Sequence, residues 1–492
     1  MRRRTFCQTA VGAAIGATIP GCGADTAPGT ADVGHLIPAI SSSGDELSIE
    51  SAAVRELAET LDGRLLLQSD TGYDAARQVW NGMFDDKSPA MVLQCASADD
   101  VANAVTFARE RSLLVSVKCG GHSLPGKSTS NGGMMIDLSP MHSVDVDTAA
   151  MTLRADGGSL LGHLDDAALA HDMLTTTGIV SHTGAGGFTL GGGFGRTDRK
   201  MGLAIDNLLS ATVVTASGDL VRANADENPD LFWGLRGGGG NFGIAVDFTY
   251  RLHAFNPIVY GGRLTYKADK DFLSFYAEFH ENAPDEVNIE PGFQPGEDGN
   301  IVAAVEVVWC GDHAAGETAL APLLAYPGLL AGDLAPFPYR DIQTSADGFL
   351  GHGRQYYLKS GLLEALTPEV IDVIAEYAHA GLAGSWFQHL GGASSRIRPD
   401  ATAYAHRNAA FNFGIMYVGD DPASNEAGIA GVREFYKAME PHMIGFYTNL
   451  NEDSEQRTWG NYGQNYPRLV ALKNRYDPTN LFRLNANISP TV

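Results

Sequence analysis

Between Ile49 and about Asn256 short apolar runs alternate with amphipathic segments. Met91 to Cys95 predicts a strand, and Ser97-Ala-Asp-Asp100 predicts a capping box that opens a helix with Val101, Ala104, Val105 and Ala108 on one face. Leu114 to Lys118, Met134 to Leu138, Met151 to Ala155 and Ala211 to Thr215 predict further strands, and Asn228 to Arg236 predicts a helix. Through Ile244, Val246, Phe248, Tyr250 and Leu252 every second residue is apolar, as a strand with one buried face requires.

From about Pro257 to Pro441 longer alternating strands, such as Ile301 to Trp309 and Phe411 to Val418, are interleaved with amphipathic helices. One of these opens at Thr367-Pro368-Glu369, with an N-cap, a first-turn proline and an early acid. The texture is that of an α+β domain. After Asn461 the chain returns to a helix carrying Tyr466, Leu469, Leu472 and Tyr476, stopped by Asp477-Pro478.

The N-terminus is different in kind. Arg2-Arg3-Arg4, Phe6 and the apolar stretch Ala10 to Ile19 have the three-part shape of an export signal over residues 1–21, too short to span a bilayer and similar to a twin-arginine signal. Ile19-Pro20-Gly21-Cys22 reads either as a plain cleavage site or as a lipoprotein box that would put a lipid anchor on Cys22. The expected location is outside the cytoplasm. Residues 22–47, rich in Gly, Ala, Ser, Pro and Asp, read as a flexible linker.

Composition narrows the function. A length of 492 residues exceeds one ordinary hydrophobic core, and 34 Lys+Arg against 58 Asp+Glu give a net charge of -24, which disfavours nucleic acid and anionic membrane surfaces. The partner expected is a small-molecule substrate. Cys95, Cys119 and Cys310 are widely spaced and form neither a disulfide framework nor a C-x-x-C pair, and no H-E-x-x-H is present, so no metal ligand set stands out. Cys95 and Cys310 read as buried structural thiols.

Two nucleotide motifs match in letters only. Gly121-His122-Ser123-Leu124-Pro125-Gly126-Lys127-Ser128 fits a phosphate loop, but Thr129-Ser130-Asn131-Gly132-Gly133 follows where a helix must begin. Gly238-x-Gly240-x-x-Gly243 lies after a helix and before a strand, the reverse of the dinucleotide fingerprint.

Three glycine-dense segments remain, Lys118 to Ser123, Gly178 to Gly195 and Gly237 to Gly243, each beside a strand. Missing side chains there let backbone N–H groups approach a pyrophosphate or a ring carbonyl. These segments, together with Tyr73-Asp-Ala-Ala-Arg-Gln-Val-Trp-Asn81, Val117-Lys-Cys-Gly-Gly-His-Ser123, Gly178-Ile-Val-Ser-His-Thr-Gly184, Leu190-Gly-Gly-Gly-Phe-Gly195, Gly202-Leu-Ala-Ile-Asp-Asn-Leu208 and Arg236-Gly-Gly-Gly-Gly-Asn-Phe-Gly243, occur in an order that resembles the FAD-linked oxidases of the vanillyl-alcohol oxidase and berberine-bridge-enzyme type. The tail, Asn465-Tyr-Pro-Arg-Leu469 through Tyr476-Asp-Pro-Thr-Asn480 to Phe482-Arg-Leu-Asn-Ala-Asn-Ile488, extends the resemblance to the end of the chain.

That resemblance implies an α+β fold with a two-part FAD-binding domain, residues 48–256 completed by 441–492, around an inserted antiparallel-sheet-and-helix substrate domain, residues 257–440. It implies FAD, attached covalently at His122; were the attachment to lie elsewhere, His182 is the next residue to test. Val180 stands where many relatives carry a second, cysteinyl attachment, so a single bond is expected. The implied cofactor bed comprises Lys118, Cys119, Gly120, Gly121, Ser123, Thr183, Gly184, Ala185, Gly187, Gly191, Gly192, Gly243, Ile244, Asn485 and Asn487, with Cys119 serving packing rather than catalysis. Flavin oxidation needs a group to take the substrate proton, and the resemblance points to Tyr462 and Lys359. Ala185, implied to lie beside the flavin, leaves room for molecular oxygen, so the expected reaction is hydride transfer from an alcohol, sugar or amine carbon with release of hydrogen peroxide. A dehydrogenase using another acceptor, and an inactive exported binding protein, are the alternatives.

Overall fold

The alternation over Ile244 to Leu252 becomes the strand Ile244–Arg251, central to an antiparallel sheet ordered Leu220–Asn224, Leu208–Val214, Ile244–Arg251, Thr152–Asp156, Val144–Asp147. The computed structural model describes residues 36–296, 298–381, 383–451 and 455–492. The export signal and the proposed lipid anchor at Cys22 lie outside the described residues. No helix among the described residues is long and apolar enough to cross a membrane.

A second sheet is ordered Arg64–Leu67, Met91–Gln94, Met134–Asp137, Val115–Lys118, with parallel pairing among its last three strands. Its apolar face packs on the helix Ala98–Glu110, where Val101, Ala104, Val105 and Ala108 are buried with Leu93, Val115 and Ile136. The capping box is half realised. Ser97 Oγ accepts from Asp100 N at 3.2 Å, but the Asp100 carboxylate is taken by three other backbone donors, Asp62 N at 2.8 Å, Gly63 N at 3.0 Å and Ala96 N at 2.8 Å. Three such bonds outweigh the single one that a box would return to Ser97.

The linker expectation is corrected over part of its length. Leu36–Ile40 and Glu46–Glu50 form an antiparallel hairpin, and Ile49 and Ala39 join the core beside Val54 and Leu57. Apolar residues at 37, 39, 47 and 49 alternate, which the Gly, Ser and Pro content of the segment masked.

From Ile258 to Gly419 an antiparallel sheet of seven described strands runs Leu329–Pro338, Ile258–Lys267, Ile301–Trp309, Val287–Pro295, Gly384–His389, Phe411–Gly419, Gln355–Leu363. The helices Lys270–Glu281, Pro368–Ala380 and Asn425–Met439 bury Phe272, Ile374 and Phe435 against one face. The other face is left for the cavity described below.

The tail helix Tyr466–Tyr476 places Leu469 and Leu472 in one core with Leu231, Phe232 and Trp233 of the helix Pro229–Leu235. Lys473 is fully buried there; its Nζ donates to Asn241 O and Phe482 O, each at 2.9 Å, and pairs with Asp477 at 2.7 Å. Residues more than 200 positions apart in sequence are thus joined around one ammonium group.

Candidate active site

A cavity of about 960 Å³ lies between the glycine loops and the open face of the long sheet. That is the upper end of the roughly 300–1,000 Å³ typical of small-molecule sites. One wall carries Cys119, Gly120, Gly121, His122, Ser123, Thr183, Gly184, Gly187, Gly243, Ile244 and Asn485, all anticipated from the sequence. The crossing of two of these loops needs glycine on both sides. A Cβ on Gly120 would stand 2.4 Å from Gly184 N, and one on Gly184 would stand 2.4 Å from Gly120 N. At Gly187 a Cβ would meet nothing within 4 Å, because the position opens into the cavity. This long bare-backbone bed fits FAD, whose bound isoalloxazine would accept a hydride.

Other anticipated bed residues sit behind the wall. Lys118 Nζ is used by Ala76 O at 2.5 Å and by Asp137 at 3.3 Å. Ala185 is 0% exposed, with its N–H on Ser159 O at 2.8 Å, and does not line the cavity, unlike its neighbours Gly184 and Gly186. Gly191 and Gly192 lie against Asn449 and Tyr447, and Asn487 lines a smaller adjoining pocket with Lys127 and Arg483. Cys119 lines the cavity with its Sγ 3.4 Å from Ser159 O, and burial pushes its thiol up to about 11, so it stays protonated. The loop after Ser123 contains turns and no helix, and Lys127 Nζ donates to Asn485 O at 2.7 Å, as the rejection of a phosphate loop requires.

Around His122 three imidazoles gather. Trp80 stacks on the His122 ring at 4.6 Å and on Tyr356 at 3.8 Å. His122 Nε2 and His182 Nδ1 are 2.6 Å apart, and His352 lies edge-on to His122 and 4.9 Å from the His182 ring. Ligating atoms of the three fall within 4.8 Å of one another. Zinc bonds of about 2.0–2.1 Å in tetrahedral geometry would hold two nitrogens more than 3 Å apart, so the shorter His122–His182 contact fits a shared proton. Burial, then His182 and His352, hold His122 well below its ordinary pKa, so its ring is neutral.

Neither anticipated proton acceptor reaches the cavity. Tyr462 is buried among Leu469, Leu472 and Phe242, its hydroxyl has no hydrogen-bond partner among the described residues, and burial pushes its pKa up. Lys359 fails by strand parity. Leu358 lines the cavity, so Lys359 points to the opposite face, where its Nζ lies 5.9 Å from the Tyr436 ring.

The opposite wall supplies what those residues do not. Glu290, Gly292 and Gln294 share the cavity face of one strand, Ala304 and Glu306 that of the next, and Arg263 and Thr265 that of a third. Glu290 stands across from Glu306, which stands across from Arg263. Arg196, buried at the edge of the glycine wall, gives its Nη2 to Glu306 and its Nη1 to Gln343 at 3.1 Å, leaving Nε 3.7 Å from Glu290. The Glu290 carboxylate accepts no hydrogen bond among the described residues, and the residue is 8% exposed. Burial pushes it up to about 7; Arg196 opposes that shift and Glu306 adds to it. Trp386 lies across Gly414, where an added Cβ would fall 2.3 Å from the indole, and its Nε1 is buried without a hydrogen-bond partner among the described residues. Tyr447, pushed up to about 12 by burial, accepts from Gly193 N at 3.1 Å and Asn449 Nδ2 at 2.8 Å, so its own proton remains to donate. A donor and a near-neutral base therefore border one cavity.

Glu290, Arg196, Tyr447 and Trp386 were not singled out from the sequence. One signal was there: Val287-Asn-Ile-Glu-Pro and Ile301-Val-Ala-Ala-Val-Glu306 each place a carboxylate next to apolar strand residues, where an unpaired charge is costly.

Residues 89–224 match the family model described as FAD binding domain, and residues 446–489 match the one described as berberine and berberine like. The chain is 30% identical to a FAD-linked oxidoreductase of Dictyostelium discoideum over 89% of this chain and 97% of that one. It is 28% identical to the xylooligosaccharide oxidase of Thermothelomyces thermophilus over 93% of this chain and 99% of that one. The crystal structure of 6-hydroxy-D-nicotine oxidase from Arthrobacter nicotinovorans superposes with a TM-score of 0.79 at 27% identity, covering 87% of this chain and 98% of that one. With its glycine-walled cavity and these relatives, the chain belongs to the FAD-linked oxidoreductases of the vanillyl-alcohol oxidase and berberine-bridge-enzyme family.

Proposed function

We propose that this FAD-linked oxidoreductase is an oxidase that moves hydride from an alcohol, sugar or amine carbon to a flavin bonded once, through His122, and passes the electrons to molecular oxygen to give hydrogen peroxide. Glu290 takes the substrate's O–H or N–H proton, and Tyr447 donates a hydrogen bond to the bound molecule. The observation that carries this reading is the Glu290 carboxylate, which accepts no hydrogen bond among the described residues, has only the 3.7 Å approach of Arg196, and is buried on the cavity wall that faces the glycine bed. A base of pKa about 7 is poised for proton transfer at neutral pH. The xylooligosaccharide and hydroxynicotine oxidases among its relatives bracket the substrate classes, and Trp386 with Gln388 offers a platform and a hydrogen-bonding edge to either.

The division into a FAD domain, residues 48–256 with 441–492, and a substrate domain, residues 257–440, belongs to this reading, as does export directed by residues 1–21. Conversion of Arg2, Arg3 and Arg4 to lysine should leave the enzyme inside the cell. The oxidase reading is tested by purifying the protein and screening peroxide release over sugars, aromatic alcohols and secondary amines. A yellow protein whose colour survives acid precipitation, with peroxide formed from at least one class, is expected. Substrate-reduced enzyme that stays reduced in air for minutes would replace the oxidase with a dehydrogenase.

A further inference from the structure

The gathering of three imidazoles around one proposed attachment point exceeds what attachment alone requires. His122 is neutral, stacked on Trp80, and held with Nε2 2.6 Å from His182 Nδ1. Its other nitrogen, Nδ1, lies 3.4 Å from Thr183 Oγ1. His182 sits on the turn that the Gly120–Gly184 crossing fixes, and its own Nε2 is buried without a hydrogen-bond partner among the described residues. The loop over Ser345 to Gly353 brings the third ring. Ser181 N and Oγ donate to Asp347 at 2.8 and 2.5 Å, and Trp80 Nε1 donates to Leu350 O at 2.6 Å, so exposed His352 is held beside His182. The imidazoles thus step from a buried ring to one in solvent.

We propose that His182 is a positioning residue for flavin attachment: it accepts the Nε2 proton of His122, so that His122 Nδ1 bonds to the 8α-methyl carbon of bound FAD. The inference rests on the reading of His122 as the attachment point. The step balances as follows. One methyl C–H bond breaks and one N–C bond forms; the methyl hydrogen leaves as a proton and the Nε2 hydrogen goes to His182. The two electrons of the C–H bond remain on the ring system until molecular oxygen takes them, with two protons, as hydrogen peroxide. A neutral imidazole is a modest nucleophile whose product must lose a proton, so an acceptor already in contact with that proton speeds bond formation.

The test compares wild type, His122→Ala, His182→Ala and His182→Asn, each purified and incubated aerobically with FAD. Total bound flavin is read from absorbance, and covalent flavin from fluorescence of the denatured band. His182→Ala should bind FAD but gain covalent flavin at least tenfold more slowly than wild type, and added imidazole should restore part of the rate. His182→Asn, which keeps an acceptor oxygen near the Nδ1 position but takes no proton, should stay slow and guards against misfolding of the alanine variant. Attachment at the wild-type rate in either variant overturns the proposal. So does slow attachment that tracks weakened FAD binding and is not rescued by imidazole, which would make His182 a packing residue. Wild type without covalent flavin, or His122→Ala with a full complement, would instead remove the reading of His122 itself.

Discussion

Glu290 and Glu306 stand directly opposite one another on neighbouring antiparallel strands, with the buried Arg196 guanidinium reaching both. Two carboxylates in such register repel, and the protein resolves the repulsion unequally. Glu306 takes the close guanidinium contact plus Arg263 and Ser345 and is held below its ordinary pKa, whereas Glu290 keeps only a 3.7 Å approach and is pushed up. One acid becomes a fixed counter-ion and the other a proton acceptor. Both come from strands whose opposite face serves the core, through Ile289, Val305 and Val307.

Glu290→Gln tests that division. Wild-type flavin reduction by substrate should rise as pH passes about 7, where Glu290 ionises; the variant should be slower by roughly two orders of magnitude or more and flat with pH. Stability supplies an independent reading. A carboxyl whose folded pKa is raised above its unfolded value of ~4.3 favours the folded state below that value and loses the contribution as pH rises through 7. The melting temperature of Glu290→Gln relative to wild type should therefore climb between pH 5 and pH 8. A pH-independent difference with unchanged reduction kinetics would acquit Glu290.

Arg196→Met strips both carboxylates of their shared cation. Breaking a buried ion pair from one side costs on the order of 3–5 kcal/mol, and Glu290, relieved of the one influence that lowers its pKa, should protonate more readily. Urea unfolding should show a large loss at pH 8 and a smaller one at pH 5. Equal losses would mean that the bond from Arg196 to Gln343, not charge balance, is what the arginine provides.

The strands and helices were legible because their apolar periodicity coincides with burial: the helix at Ala98–Glu110, the strand Ile244–Arg251 and the tail helix Tyr466–Tyr476 fall where the pattern put them. The glycine wall was legible because three glycine-dense segments, each beside a strand, expose enough bare backbone to bed a cofactor. The opposite wall was not. Which face of Gln355–Leu363 meets the cavity depends on pairing with Phe411–Gly419 and on where the helix Asn425–Met439 packs, and a one-residue change of parity exchanges Leu358 for Lys359. Arg196, Glu290 and Glu306 meet only through long-range packing, so no local pattern announces their coupling.

Tyr462→Phe separates a packing role from a catalytic one. Its hydroxyl is buried at 3% exposure without a partner among the described residues. Deleting an unsatisfied polar group removes a desolvation cost of about 1–3 kcal/mol, so the variant should be as stable as wild type or more so, with unaltered flavin reduction. A hundredfold slower reduction would restore Tyr462 to the chemistry.

Ala185 and Gly187 are two residues apart in the short helix Ala185–Leu190, yet they predict opposite outcomes on enlargement. Ala185 is fully buried behind the wall, so Ala185→Leu should overpack the core and cost about 1–3 kcal/mol, slowing no oxygen step selectively. Gly187 opens on the cavity with no atom within 4 Å of an added Cβ, and alanine is favoured over glycine inside a helix by about 1 kcal/mol. Gly187→Ala should therefore raise the melting temperature of the flavin-free protein while intruding on the cofactor bed. In a His122→Ala background, where retention does not depend on a covalent bond at that residue, FAD should dissociate several-fold faster from the Gly187→Ala protein. Unchanged dissociation would show that the flavin does not lie against Gly187, and selective loss of oxygen reactivity in Ala185→Leu would return the oxygen path to the buried methyl.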